Sequence, residues 1–209
     1  MWKRSNLPGN PVGTIVCVHG IFDTRWVFKR MADRLADLGY DIFAPTMNGA
    51  GGVASMQELA EQIDSLLKAE AIGVESKPFY IIGFSMGGIV SRTLLQCVNP
   101  ALKPRALITL GTPHHGSALC MLFWGKGTRD MRPGSRHLRK LKESEATLDG
   151  TPCYSFWTPF DLMIIPARSS KWPRAENHTF RVPLHPWLLT DKTVFAAIQK
   201  VLETGTDLT

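Results

Sequence analysis

The residue whose surroundings most invite chemistry is Ser85, in the run F-Y-I-I-G-F-S-M-G-G-I-V at 79–90. Gly83 stands two residues before it and Gly87 two after. A β-type apolar run leads in and a helix-period run leads out. A strand that turns straight into a helix must bend sharply, so the residue at the bend is strained and its neighbours two away come too close for side chains. The bend lifts the hydroxyl above the sheet edge and aims the first N–H groups of the helix at the same spot. That is a G-x-S-x-G nucleophile elbow. Ser85 is therefore the expected nucleophile, with the Met86 N–H as one donor to a developing oxyanion, helped by the helix dipole. The second donor is expected at the Ile21 N–H, in V-C-V-H-G-I-F-D (16–23), with His19 bracing that loop. Phe22, Phe84 and His114 flank these loops and are expected in the substrate pocket.

A serine hydroxyl needs a base to take its proton, and the base needs a carboxylate to hold it. Behind such an elbow the chain order is serine, acid, histidine. His185, in V-P-L-H-P-W-L-L, follows the last expected strand and precedes the last helix, where a loop can swing over the nucleophile. It is the leading base, with His178 as the alternative; His114 and His115 precede every credible acid. Asp161 follows a strand in S-F-W-T-P-F-D-L-M-I-I-P (155–166) and is the leading acid. Glu176 remains a second candidate, whereas Glu143, Glu145 and Asp149 lie in a polar interval and read as solvated.

The elements that must position these groups are legible as alternating patterns. Strands are expected at 12–18, 41–45, 78–83, 105–111, 151–158 and 178–184. Helices are expected at 25–39, 55–68, 86–98 and 191–203. Ser55 followed by Glu58 is a capping-box signature. Strands alternating with helices imply a mostly parallel sheet covered on both faces. No internal repeat or linker divides the 209 residues, so one domain over 1–209 is expected. The interval 117–150 is short enough for only a small lid or cap. Within it, S-A-L-C-M-L-F-W-G (117–125) has two readings, an ordinary core helix or one side of a lipid-facing surface.

Composition narrows the class. The chain is 44% hydrophobic and 20% charged, ordinary for a globular protein, with no apolar run of bilayer-spanning length. The basic N-terminus lacks a following apolar stretch, so a signal peptide is not expected. A cytoplasmic or peripheral-membrane protein is expected, or an exported or anchored one if a leader is missing. The four cysteines have no C-x-x-C spacing, and Cys17 and Cys97 read as buried free thiols. Residues 125–142 hold seven Lys/Arg and one Asp, a local +6 equal to the net charge of the whole chain. No nucleic-acid motif accompanies them; the readings are a solvated basic face or contact with an anionic membrane surface.

The motifs together resemble bacterial α/β-hydrolase lipases and esterases of the triacylglycerol lipase (class 2 lipase-like) family. The resemblance is carried by V-H-G-I-F (18–22), G-F-S-M-G-G (83–88), L-G-T-P-H-H-G-S (110–117), M-R-P-G-S (131–135), the run at 155–166 and H-P-W-L-L (185–189). It implies an α/β-hydrolase fold and a cofactor-free serine hydrolase of carboxylic, lipid-like esters, with Ser85, Asp161 and His185 as its triad. Thioesterase, amidase or acyltransferase chemistry shares the same acyl-enzyme and is the alternative; a non-catalytic membrane-surface binder is the more distant one. The chain departs from the family pattern at Phe84, where a histidine is common, and at Leu184, where glycine commonly precedes the catalytic histidine. Related lipases sometimes hold calcium near the histidine loop, but Asp191 lacks surrounding carboxylates and reads as a helix N-cap; no metal is expected.

Overall fold

The computed structural model describes residues 2–73 and 77–206. Seven strands form one sheet: β1 (Trp2–Lys3), β2 (Gly13–Val18), β3 (Tyr40–Phe43), β4 (Phe79–Phe84), β5 (Leu107–Leu110), β6 (Cys153–Trp157) and β7 (Glu176–Thr179). Their order is β1-β3-β2-β4-β5-β6-β7, parallel throughout except for β1, which runs antiparallel to β3. The helices are α1 (Lys29–Asp37), α2 (Met56–Ala69), α3 (Met86–Thr93), α4 (Lys126–Asp130), α5 (Arg136–Glu143) and α6 (Lys192–Thr206).

The near-continuous apolar strands follow from burial on both faces. In β2, Val16 and Val18 point into the core shared with α2 and α3, while Ile15 and Cys17 point into the core shared with α1 and α6. In β4 the same alternation sends Ile81 one way and Tyr80, Ile82 and Phe84 the other. A strand with both faces buried carries no polar alternation.

Helix ends follow local chemistry. Ser55 and Glu58 form the reciprocal capping box that opens α2. Asp191 Oδ1 accepts the Thr193 and Val194 N–H groups at the start of α6, as an N-cap does. The segment expected as helix 25–39 opens as a 3-10 turn, Arg25–Phe28, before α1, and the expected helix 86–98 ends in a π-helical turn, Leu94–Val98.

Three expectations do not hold. The last strand is Glu176–Thr179 rather than 178–184; only Phe180 N–H, donating to Trp157 O, carries the pairing further. Residues 117–124 are not a core helix. Ala118–Leu122 is a 3-10 turn without a buried residue, and Met121, Leu122, Phe123 and Trp124 are exposed, Trp124 at 94%. Cys97, expected buried, is half-buried.

From β2 the chain moves outward to β3, then returns across β2 to β4. The crossover makes a topological switch point between the carboxyl ends of β2 and β4, where open α/β sheets form their ligand crevice. Ile21, Phe22 and Ser85 emerge at that crevice.

Candidate active site

Ser85 sits between the end of β4 and the start of α3 with φ 54° and ψ −123°. This is a strained backbone for a residue with a side chain, of order 1–3 kcal/mol, and surrounding structure must hold it. Its N–H donates to Leu110 O at 2.8 Å, and the Thr112 hydroxyl donates to Ser85 O at 3.0 Å. The two glycines have the predicted steric cause. A Cβ on Gly83 would lie 2.6 Å from the Gly88 Cα, and one on Gly87 would collide with Val18 O. Side chains there would push the elbow off the sheet.

His185 heads a 3-10 turn, His185–Leu189, after β7. Its Nδ1–H donates to Asp161 Oδ2 at 2.6 Å. Asp161 Oδ1 accepts the N–H groups of Met163 and Ile164, each at 2.9 Å. The carboxylate is thereby fixed by its own loop and fixes the histidine tautomer, leaving the lone pair on Nε2. That Nε2 is buried and forms no hydrogen bond, to Ser85 or to any other described residue. A buried unpaired nitrogen costs stability and points to a reactive role. Catalytic hydrogen bonds are often loose before substrate binds.

The ring of His185 lies against Phe84, centroids 4.8 Å apart, and directly over Gly111, where a Cβ would approach Cε1 to 2.8 Å. Phe84 was expected to line the substrate pocket; it is instead buried beneath the base, because alternate β4 residues point into the core. Leu184, the other departure, is exposed and leaves the Nδ1 contact intact.

The loop that follows β2 lines the space beside Ser85. His19 donates from Nδ1 to Gly20 O and accepts the Met47 N–H at Nε2, so it braces the loop as expected. Burial keeps its pKa below the ordinary value. Ile21 and Phe22 then turn over Ser85, Phe22 at φ 60°. The N–H groups of Met86 and Gly87, in the first turn of α3, have no intrahelical acceptor and lie at the positive helix end.

A cavity of about 60 Å³ adjoins Ser85, lined mainly by apolar groups including Ile21, Phe22, Cys120, Phe123, Met131 and Ile164. Phe22 and Phe123, both in the lining, pack with ring centroids 6.0 Å apart. His114 is not part of this lining, contrary to expectation. It is buried on the other side of the 112–117 loop, stacked on Trp172 at 4.7 Å. Its Nε2–H donates to Thr109 Oγ1, which donates to Tyr154 O, and its Nδ1 accepts from Arg92. Burial first, then the Arg92 charge, hold its pKa well below the ordinary value. Of the alternative partners, His178 is 2.9 Å from Glu176 on the outer strand, away from Ser85.

Four contributors escaped the sequence reading. Thr112 pins Ser85, and Ser117 bridges the Met163 carbonyl and the Ile165 N–H of the Asp161 loop. Both lie in the long G-T-P-H-H-G-S run, whose length was the available signal. Arg92 ties α3 to this loop through His114. Asp23 stands beside the site: a Cβ on Gly20 would meet Asp23 Oδ2 at 2.8 Å and Ser85 Cβ at 3.1 Å. Burial raises the Asp23 pKa, opposed by the fields of His19 and His185.

This sheet, with a serine on a strained strand-to-helix turn and a carboxylate-held histidine above it, defines an α/β-hydrolase. The chain belongs to the family described as serine aminopeptidase, S33, which matches residues 9–142 and so includes Ser85 but neither Asp161 nor His185. Among curated proteins it is similar to a lysosomal thioesterase of Mus musculus, 26% identical over 104 residues, covering 49% of this chain and 34% of the thioesterase. It is also similar to a carbendazim hydrolyzing esterase of Nocardioides sp., 22% identical over 115 residues, covering 54% of this chain and 48% of the esterase. The matched region thus spans a third to a half of these relatives. The Bacillus licheniformis lipase in its mature form superposes with a TM-score of 0.74 at 18% identity, covering 97% of this chain and 98% of that one.

Proposed function

We propose that the protein cleaves carboxylic, lipid-like esters through an acyl-enzyme on Ser85, as a member of the class 2 lipase-like group. The observation that carries this reading is the pairing of Asp161 with His185 at 2.6 Å, above a strained serine that opens into an apolar cavity. Ser85 Oγ attacks the acyl carbon while His185 Nε2 accepts its proton. The carbonyl oxygen becomes an oxyanion and accepts the N–H groups of Ile21 and Met86. Asp161 stabilises the imidazolium, which then protonates the departing oxygen. Water, deprotonated by His185, releases the acid and restores Ser85.

Thioester cleavage is the second reading, favoured by the similarity to the lysosomal thioesterase. It uses the same acyl-enzyme, with sulfur leaving in place of oxygen. The small closed cavity suits short acyl chains, and longer ones require Phe123 to move off Phe22. The exposed Met121, Leu122, Phe123 and Trp124 lie beside the cations of 125–142, an arrangement suited to an anionic lipid surface. The described residues include no helix long and apolar enough to cross a membrane.

The test is a panel of p-nitrophenyl esters and acyl thioesters of two to sixteen carbons, with an aminoacyl p-nitroanilide as the amide arm, on wild type and Ser85→Ala. Hydrolysis lost on the order of 10⁶-fold in the variant supports the reading. The ester-to-thioester ratio chooses the leaving group. No hydrolysis above the variant on any member rejects it.

A further inference from the structure

On the side of the 112–117 loop away from Ser85 lies a second cavity of about 230 Å³. Its lining includes Arg92, His115, Arg139, Lys142, Glu145 and Trp172. We infer that this cavity binds a phosphate-type anion, carried either by a soluble phosphomonoester or by a lipid headgroup. The inference concerns binding and does not rest on the esterase reading.

Three cations face one acid there. Arg92 is only 2% exposed and lies over the Trp172 ring at 4.3 Å. Its guanidinium donates to Gln96, His114, Leu141 O and Glu145, leaving one of the two Nη1 hydrogens without an acceptor. Glu145 Oε1 is shared, because it also accepts the Trp172 indole N–H at 2.6 Å. Its single charge must therefore serve a cation already taken out of water. Burial lowers the Arg92 pKa to about 10, opposed by the Glu145 charge.

The rim adds to the imbalance. The outer face of α5 carries Arg136, Arg139, Lys140 and Lys142, and none of these forms a salt bridge among the described residues. Arg136 and Lys140 are four residues apart, a repulsive spacing on an isolated helix. Leu138 and Leu141 hold the helix down, and Ser135 caps it, so the cations stay where they are. Arg139 and Lys142 line the cavity together with the buried Arg92, and Arg139 Nη1 also donates to Gly134 O. His115 is exposed and contributes a further ring at the edge. A tetrahedral oxyanion takes donors from several directions at once, and arginine forks match phosphate geometry. The apolar floor of Leu138, Trp172 and Pro173 accommodates the group to which the phosphate is attached.

Calorimetric titration of the full chain with inorganic phosphate and with glycerol 3-phosphate, at ionic strength held constant with chloride, tests this. Saturable binding is expected, weakened roughly tenfold for each cation removed in Arg139→Ala/Lys142→Ala. A double variant of equal charge on the opposite sheet face, Arg30→Ala/Lys192→Ala, should bind as wild type. Co-sedimentation with phosphatidylcholine vesicles containing phosphatidic acid separates the sources. Vesicle binding displaced by glycerol 3-phosphate identifies the headgroup; soluble binding without vesicle binding identifies the free ester. Absence of saturable binding to either, or equal weakening in both double variants, overturns the inference.

Discussion

His185 and His114 are both buried near the top of the sheet, on opposite sides of one loop, and their rings are finished differently. His114 has both nitrogens paired, to Arg92 and to Thr109, and is held neutral by burial. His185 has one nitrogen paired, to Asp161, and the other buried without a partner. The backbone shows the same contrast. Ser85, on the His185 side, is strained at positive φ, whereas Arg92, on the other side, lies in regular helix with its donors nearly all used. Polar groups that are fully satisfied rigidify a core. In the proposed mechanism, the nitrogen left unsatisfied is the one that accepts the serine proton.

The largest expected effect separates the two histidines. Asp161→Asn should lower kcat by on the order of 10⁴, because the amide no longer fixes the tautomer of His185. His114→Gln should change kcat less than about tenfold while lowering the melting temperature. Equal losses of kcat in both variants would break the distinction.

Next is Arg92→Met, which leaves Glu145 without its cation and the His114 Nδ1 without its donor. Loss of a buried ion-pair member costs about 3 kcal/mol, or roughly 10 °C in melting temperature for a chain of this length. Thermal unfolding checks this. A variant melting with wild type would show that the Arg92 network contributes little to stability.

The buried histidines also set an acid limit. His19, His114 and the half-buried His137 of α5, whose Nε2 meets the Thr93 hydroxyl, all have pKa values lowered chiefly by loss of solvent. Their folded-state pKa lies below the unfolded value of about 6.5, so the unfolded chain binds protons first as pH falls. Stability should therefore be level above about pH 6.5. It should fall below that, by at most about 1.4 kcal/mol per pH unit for each histidine, until the folded pKa is reached. Denaturant melts from pH 8 to 5 test the sign, and His114→Gln should flatten the slope.

The smallest effect belongs to the exposed rim. Leu122→Ser/Trp124→Ser should leave hydrolysis of soluble two- to four-carbon esters within about twofold. The same pair should reduce turnover of emulsified long-chain esters several-fold, since burial of each side chain in lipid contributes about 1.5–3 kcal/mol. Equal rates on both substrates would separate the rim from lipid contact.

What was legible in the sequence follows the same division. The elbow, the chain order of the three expected catalytic residues and the doubly buried strands rest on local spacing, and the structure pairs His185 with Asp161 and lays it against Phe84, the residue before Ser85. The Arg92 network was not legible, because its partners other than Gln96 lie 22 to 53 residues away and a lone arginine in a helix-period run reads as surface. β7 was misplaced because its residues, Glu-Asn-His-Thr, occupy an outer strand that needs no apolar face, while the apolar run after it leads into the histidine loop. β1 escaped because two residues carry no period. Phe84 pointed away from the pocket because strand alternation outranks closeness to Ser85 in sequence.

The most direct test of the account is covalent. A fluorophosphonate that labels activated serines should add one adduct per chain, as read by intact mass, on the peptide containing Ser85. The adduct should vanish in Ser85→Ala and form far more slowly in Asp161→Asn. A folded wild-type chain that takes no adduct, or takes it on another serine, would contradict the assignment of Ser85 as the nucleophile.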